Sequence, residues 1–386
     1  MTVSSSATAG HAKTIFISAG DVSGDIHAAN LVQAIKALEP STRIVAIGGP
    51  QLKQCADEFL LDLASQGVLG FIEPIKKLPL WLKLIGQVRE VLKTQRPAAF
   101  IAVDFYGLNH QFLKVAKEEN IPAYYYVTPQ VWASRQYRAK RLATLTRKMY
   151  VIYPFEPAFH KARGGNAVFL GNPLLDKMPE PQPKNFDVKE PSSYAWKLGI
   201  LPGSRRGEIT RLFPVFYQAF LEICRTYPNT QGYVFLLPNA NEQTFIDLIG
   251  QEPPANLHFI KETDYKVRGQ MDFLLACSGT ATLENALLGV PMLVAYQLFG
   301  PTYLIARLVA KVKYISLVNL LADKPLVREL IQGAATPKNC ADITKDFFAH
   351  PQKLETLHKE LLVLRSSLGQ PGVAKRAAAD LLGELQ

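Results

Sequence analysis

Cysteine is scarce in this chain. Its four residues, Cys55, Cys224, Cys277 and Cys340, are scattered, with no CxxC pair and no histidine at ligand spacing. That excludes a disulfide framework and a structural zinc site, and suits a reducing cytoplasm. There is no P-loop, no HExxH and no DxD carboxylate pair, so no divalent cation or other cofactor is expected, and any phosphate charge falls to helix N-termini and arginines. The opening MTVSSSATAGHAK lacks the apolar stretch of a secretion signal and reads as a polar tail. From Asn285 to Ala306 no side chain is charged. However, Gly289-Val290-Pro291 and Gly300-Pro301 punctuate that run, which predicts a helix end, the buried strand PMLVAYQ and a new element rather than a membrane span.

What is present is an ordinary globular composition over 386 residues, 48% hydrophobic and 20% charged, long enough for two domains. The net charge of +10 favours an anionic partner such as a phosphorylated metabolite or an anionic lipid surface. Nucleic acid is not expected. The densest basic stretch, RQYRAKRLATLTR from Arg135 to Arg147, lacks the context of a known binding module and also reads as a solvated helix face.

Short apolar runs alternate with helical patterns. TIFIS (14–18), TRIVAIGG (42–49), AAFIAVD (98–104) and AYYYV (123–127) form one series. LGILPG (198–203), YVFLLP (233–238), LHFI (257–260), DFLLAC (272–277) and PMLVAY (291–296) form a second. Strands alternating with helices predict parallel, doubly wound sheets. The expected architecture is α/β: a domain over 1–175, a Pro-rich linker over 176–195, a second domain over 196–350, and C-terminal helices over 351–386 returning to the first. Two doubly wound domains facing a central cleft would bind ligands outside the carboxyl ends of their strands.

Five segments carry candidate chemistry. In SAGDVSGD (18–25), Gly20 and Gly24 permit a tight turn and close backbone approach, and Ser23 or Asp25 is positioned to cap the following helix. In ACSGTATLENAL (276–287), Ser278, Gly279 and Thr280 leave first-turn N–H groups open to an anion, and Glu284 is placed to accept from ribose hydroxyls. In ILPGSRRGEITRLFPVFYQAF (200–220), Arg205 and Arg206 crowd a helix entry where cations are normally unfavourable, which suggests bound phosphate. Asp104 ends the strand AAFIAVD, where partial desolvation suits a general base, although a loop-tying role is equally open. The aromatic segment 124–138 reads as core or as a stacking surface.

Eight blocks occur in one order over nearly the whole chain: GDVSGD (20–25), VLGFIEP (68–74), VDFYGLN (103–109), YYVTPQVWASRQYR (125–138), YPFEPAFH (153–160), LPGSRRGEI (201–209), CSGTATLE (277–284) and YISLVNLLADKPLVRELIQ (314–332). Together they resemble the lipid-A-disaccharide synthase family. The resemblance implies a GT-B glycosyltransferase that moves 2,3-diacylglucosamine from its UDP derivative, with inversion, to 2,3-diacylglucosamine 1-phosphate (lipid X). It implies Asp104 as base, Arg205 facing phosphate, Asn319 as a functional asparagine, and Ser278, Gly279, Thr280 and Glu284 on the nucleotide side, with Gly20, Ser23, Gly24 and Asp25 also at the substrate. The chain departs from the family pattern at Gly107, Asn172, Gln297 and Val318. Another GT-B enzyme acting on UDP-N-acetylglucosamine, an epimerase or a soluble-acceptor transferase, is the alternative.

Acylated substrates require a membrane surface. GVLGFIEPIKKLPLWLKLI (67–85) mixes Leu69, Phe71, Ile72, Leu80, Trp81 and Leu82 with lysines, the composition of an interfacial patch. Peripheral attachment at the inner face of the inner membrane is therefore expected. A homo-oligomer is compatible with the chain.

Overall fold

The computed structural model describes residues 13–63, 78–298 and 313–386. They form two compact units, one of residues up to Pro173 together with Gln370–Gln386, the other of Leu174–Gly369.

In the first unit the strands are β1 (Thr14–Ala19), β2 (Arg43–Gly48), β3 (Glu58–Asp62), β4 (Ala99–Val103), β5 (Ala123–Tyr126), β6 (Lys148–Val151) and β7 (Ala167–Phe169). All pair in parallel, in the order β3-β2-β1-β4-β5-β6-β7. Helices cover both faces, so β1, β2, β4 and β5 are near-continuous apolar runs rather than alternating ones. One face is closed by α1 (Val22–Leu38) and α2 (Pro50–Lys53), the other by α3 (Leu78–Gln95), α4 (Tyr106–Glu118) and α5 (Tyr137–Leu145), with α6 (Glu156–Lys161) beside β7.

The second unit repeats the plan with β8 (Lys197–Leu201), α7 (Arg206–Thr226), β9 (Gln231–Leu236), α8 (Gln243–Ile249), β10 (Leu257–Lys261), α9 (Lys266–Gly269), β11 (Phe273–Cys277), α10 (Thr280–Leu287), β12 (Met292–Tyr296), α11 (Leu317–Ala322) and β13 (Arg328–Ile331). Its parallel order is β10-β9-β8-β11-β12-β13. On α7, Leu212, Phe213, Phe216 and Phe220 are fully buried at helical spacing.

After α12 (Pro337–Ala349), α13 (Pro351–Ser367) stays with the second unit against α10, while α14 (Val373–Glu384) packs on α1. Arg376 anchors α14 to the Leu170 carbonyl, and Lys148 meets Asp380 and Glu384. The proline-rich stretch 176–195 lies on the second unit. Lys184 donates to the Gly269 carbonyl at 3.0 Å, and Phe186, Val188 and Tyr194 pack on the core beneath.

Among the described residues no helix is long and apolar enough to cross a membrane. Leu69, Phe71 and Ile72 lie outside the described residues, as does the side chain of Leu80.

Candidate active site

In both sheets the strand order reverses beside the first strand, between β1 and β4 and between β8 and β11. Ligands of doubly wound sheets collect at the carboxyl ends around that reversal. The candidate residues cluster there in each unit.

In the first unit, the turn after β1 starts α1. Asp21 is the N-cap, its carboxylate accepting from the Gly24 N–H at 2.7 Å. This corrects the expectation that Ser23 or Asp25 caps. Ser23 is exposed in the first turn. Asp25 is 2% exposed and accepts from the N–H groups of Gly49, Gln51 and Leu52 at 2.7 to 3.0 Å, tying down the start of α2. Its oxygens are used in holding the turn after β2, so it shapes the site without facing a ligand. Gly24 allows close approach, because a Cβ there would lie 3.0 Å from Asp21 Oδ1 and 3.3 Å from the Asp104 Cβ.

Asp104 follows β4 with φ +51°, a conformation disfavoured for most side chains but tolerated by Asp and Asn. The loop holds it there. The Asp104 N–H reaches the carbonyls of Tyr126 and Val127 at 3.1 Å, and the Tyr125 hydroxyl donates to the Asp104 carbonyl at 2.6 Å. The carboxylate accepts only the Phe105 N–H at 2.9 Å among the described residues. Burial, reinforced by the negative charge of Asp21, pushes Asp104 up to about 7. The Phe105 ring fills the space over Gly107, where an added Cβ would meet it at 2.3 Å. A side chain at this position therefore requires the Phe105 ring to move.

The aromatic segment resolves mostly into core. Trp132 packs edge-on against Tyr153 and Phe155, and its Nε1–H donates to Glu156 at 3.1 Å. Glu156 is fully buried, takes two further bonds from the Ile152 and Tyr153 N–H groups, and is itself pushed up to about 7 by burial. It clamps the end of β6 to the 128–132 loop. Its sequence position gave no signal of the contact to the loop, since Trp132 lies 24 residues away.

In the second unit a cavity of about 640 Å³ opens at the ends of β8, β9, β10 and β11, a size suited to a small cofactor or nucleotide. Gly203, Ser204, Arg205, Ser278, Gly279, Thr280 and Glu284 line it together. The first N–H groups of α10 lack intrahelical acceptors and border the cavity, an arrangement suited to phosphate. Arg205 caps α7 from outside the helix, 81% exposed, its guanidinium 3.1 Å from Glu208. Glu208 also accepts from the Ser204 and Arg205 N–H groups at 3.0 and 3.1 Å, fixing the turn.

Sequence reasoning missed the residues behind Glu284. Arg268, 6% exposed, donates to Glu284 at 2.8 Å and to Glu262 at 2.9 Å through Nε, with a second contact to Glu262, and lies under the Tyr265 ring. The Tyr265 hydroxyl reaches the other Glu284 oxygen at 3.3 Å. Nothing in YKVRGQ signals this. Arg268 sits on a one-turn helix with no periodic pattern, and its partners come from β10 and α10.

Asn319 does not line the cavity. It is 1% exposed, donates to the Val327 carbonyl and Glu329 at 2.9 and 2.8 Å, and accepts from the Val327 N–H at 2.8 Å. Its side-chain bonds are spent joining α11 to β13, so the expected ligand contact is corrected to a positioning role. The other departures are likewise framework. Asn172 donates to the Ile152 carbonyl, Gln297 to the Ala335 carbonyl, and Val318 is fully buried. In the proposed membrane segment, Leu82 is 61% exposed, whereas Trp81 packs against the first unit's core. Among the described residues no three His, Cys, Asp or Glu side chains come together as a metal site.

Comparison with known proteins matches this arrangement. In fold the chain resembles Acinetobacter baumannii MurG (TM-score 0.61, 16% identity, 96% of this chain and 99% of that one). It also resembles the UDP-GlcNAc 2-epimerase of Neisseria meningitidis bound to UDP-GlcNAc (TM-score 0.61, 12% identity, 96% and 100%). In sequence it is 36% identical over 380 residues to the lipid-A-disaccharide synthase of Syntrophus aciditrophicus, covering 96% of this chain and 98% of that one. It is 34% identical over 382 residues to that of Nitrosococcus oceani, covering 97% of each. The family model described as lipid-A-disaccharide synthetase matches residues 15–377. With its two parallel-sheet units and full-length match, the chain belongs to the lipid-A-disaccharide synthase family of GT-B glycosyltransferases.

Proposed function

We propose that the chain transfers 2,3-diacylglucosamine from UDP to the 6-hydroxyl of 2,3-diacylglucosamine 1-phosphate, with inversion, releasing UDP. The observation that carries the reading is the Asp104 carboxylate. It is partly buried, accepts a single hydrogen bond among the described residues and is pushed up to about 7, where a base is ionised at working pH yet still takes a proton readily. In the reaction the acceptor O6–H proton passes to Asp104, O6 forms the bond to the anomeric carbon, and the C1–O bond to the diphosphate breaks with its electron pair leaving on UDP. The departing charge is received by the α10 N-terminus and Arg205 at the second unit's cavity. Glu284 accepts from the ribose hydroxyls, and Arg268 holds Glu284 in place.

Acylated substrates reside in a bilayer, and the exposed Leu82 on α3 supports a peripheral membrane contact through that helix, at the cytoplasmic face where the nucleotide donor is available. The test is UDP release from the diacylated donor with lipid X and excess chelator present, with the product checked for a β-1,6 linkage. Loss of turnover in chelator, or retention of the α configuration, overturns the proposal. Equal use of unacylated UDP-glucosamine favours the soluble-acceptor alternative.

A further inference from the structure

The basic stretch 135–141 takes no part in the mechanism above, yet it lies next to the proposed base. α4 begins at Tyr106, two residues beyond Asp104, so their Cα atoms are within about 7 Å. The Arg138 guanidinium lies 4.1 Å from the centre of the Tyr106 ring, which stacks on His110 at 4.9 Å. Arg141 sits 5.2 Å over Tyr137. The charges acting on His110 are Lys114, Arg141 and Arg138, all positive. Among the described residues none of Lys114, Arg135, Arg138, Lys140 and Arg141 forms an ion pair with a carboxylate. Immediately beyond them, Arg147 and Lys148 are neutralised by Asp380 and Glu384. Like charges gathered without counter-ions repel, and the carboxylates that α14 brings nearby go to Arg147 and Lys148 instead. A guanidinium seated over an aromatic ring still has N–H groups to offer for bidentate contact with phosphate oxygens.

We propose that Arg138 and Arg141, with Arg135 beside them, bind the phosphomonoester of the acceptor. The phosphate at one end of the sugar is then gripped while the hydroxyl at the other end is offered to Asp104. This rests on the acceptor being a sugar 1-phosphate. It assigns the specificity for that phosphate to α5 and not to the nucleotide cavity. Lysine serves less well than arginine here, because the stacked, forked geometry is lost.

The experiment compares two acceptors in neutral detergent, diacylglucosamine 1-phosphate and its 1-O-methyl counterpart, with wild type, Arg138→Met, Arg138→Lys and the exposed-site variant Arg141→Met. Each Met variant is expected to raise the KM for the phosphorylated acceptor by about tenfold to a hundredfold, the scale of a charge-assisted hydrogen bond. The KM for the methyl acceptor and the Kd for UDP stay unchanged, and Arg138→Lys recovers part of the loss. Equal effects on both acceptors overturn the proposal. So does an unchanged acceptor KM, with or without lost binding to phosphatidylglycerol vesicles; lost vesicle binding would assign the cluster to the bilayer. Equilibrium binding of the phosphorylated acceptor reads the site without turnover, so an inactive wild type would sink the reaction and leave this inference to be judged by the binding alone.

Discussion

Replacing Asp104 by Asn separates chemistry from architecture, because Asn tolerates the positive φ at this position and keeps the acceptor for the Phe105 N–H. Removal of a general base costs about a hundredfold to ten-thousandfold in kcat, with UDP binding intact. In wild type kcat/KM should climb with pH through about 7 and level off above, since only the ionised carboxylate accepts the proton. The variant's residual rate should lack that step. Stability moves the other way. The folded-state value lies above the 3.8 of a free Asp, so the native protein holds this proton more tightly than the unfolded chain. That contribution favours folding below pH 4 and is lost as pH rises through about 7. The gap corresponds to at most about 4 kcal/mol. Asp104→Asn, having no charge to bury, should therefore match wild type near pH 4 and exceed it in urea unfolding at pH 8. A variant that keeps kcat within about threefold of wild type, or whose stability advantage over wild type is no larger at pH 8 than at pH 4, would falsify the argument that a desolvated carboxylate is the base.

Three further outcomes follow from the geometry. Arg268→Met leaves Glu262 and Glu284 facing each other without their cation. Loss of about 3 to 5 kcal/mol in urea unfolding is expected, together with a UDP Kd at least about tenfold weaker, read by calorimetry. Asn319→Ala breaks the link between α11 and β13 and should lower the unfolding free energy by about 2 to 3 kcal/mol, seen as a lower urea midpoint with an unchanged slope. Leu82→Ser changes stability by no more than about 0.5 kcal/mol, because the side chain is exposed, yet reduces sedimentation with anionic vesicles. Trp81→Ser, removing a ring packed on the core, destabilises instead, and equal stability losses for the two would remove the surface assignment.

The α/β plan was legible in the sequence because strands buried on both faces are written as unbroken apolar runs. TIFIS, AAFIAVD and DFLLAC announce β1, β4 and β11 with no need of neighbours. The turns that follow them are equally local, and the placing of Asp104, Ser278 to Thr280 and Arg205 at strand ends needed only that grammar. Four edge or near-edge strands were not legible, although the edge strand LHFI was. EFLLD, KMYV, AVF and RELI are short or half-exposed, and only pairing with a neighbour makes them strands.

What only the tertiary structure decided is which polar groups remain available for chemistry. Local sequence offered Ser23 and Asp25 as caps of α1, but Gly49 to Leu52, arriving from the next turn, engage Asp25, and Asp21 takes the cap. Asn319 changed role, and Arg268 acquired one the sequence did not show, for the same reason. One is consumed by β13 and the other recruited to Glu284 by elements distant in sequence. A backbone pattern is set by residues a few positions apart. Desolvation and hydrogen-bond partnership, which set whether a side chain acts on a ligand, depend on what the rest of the chain brings against it.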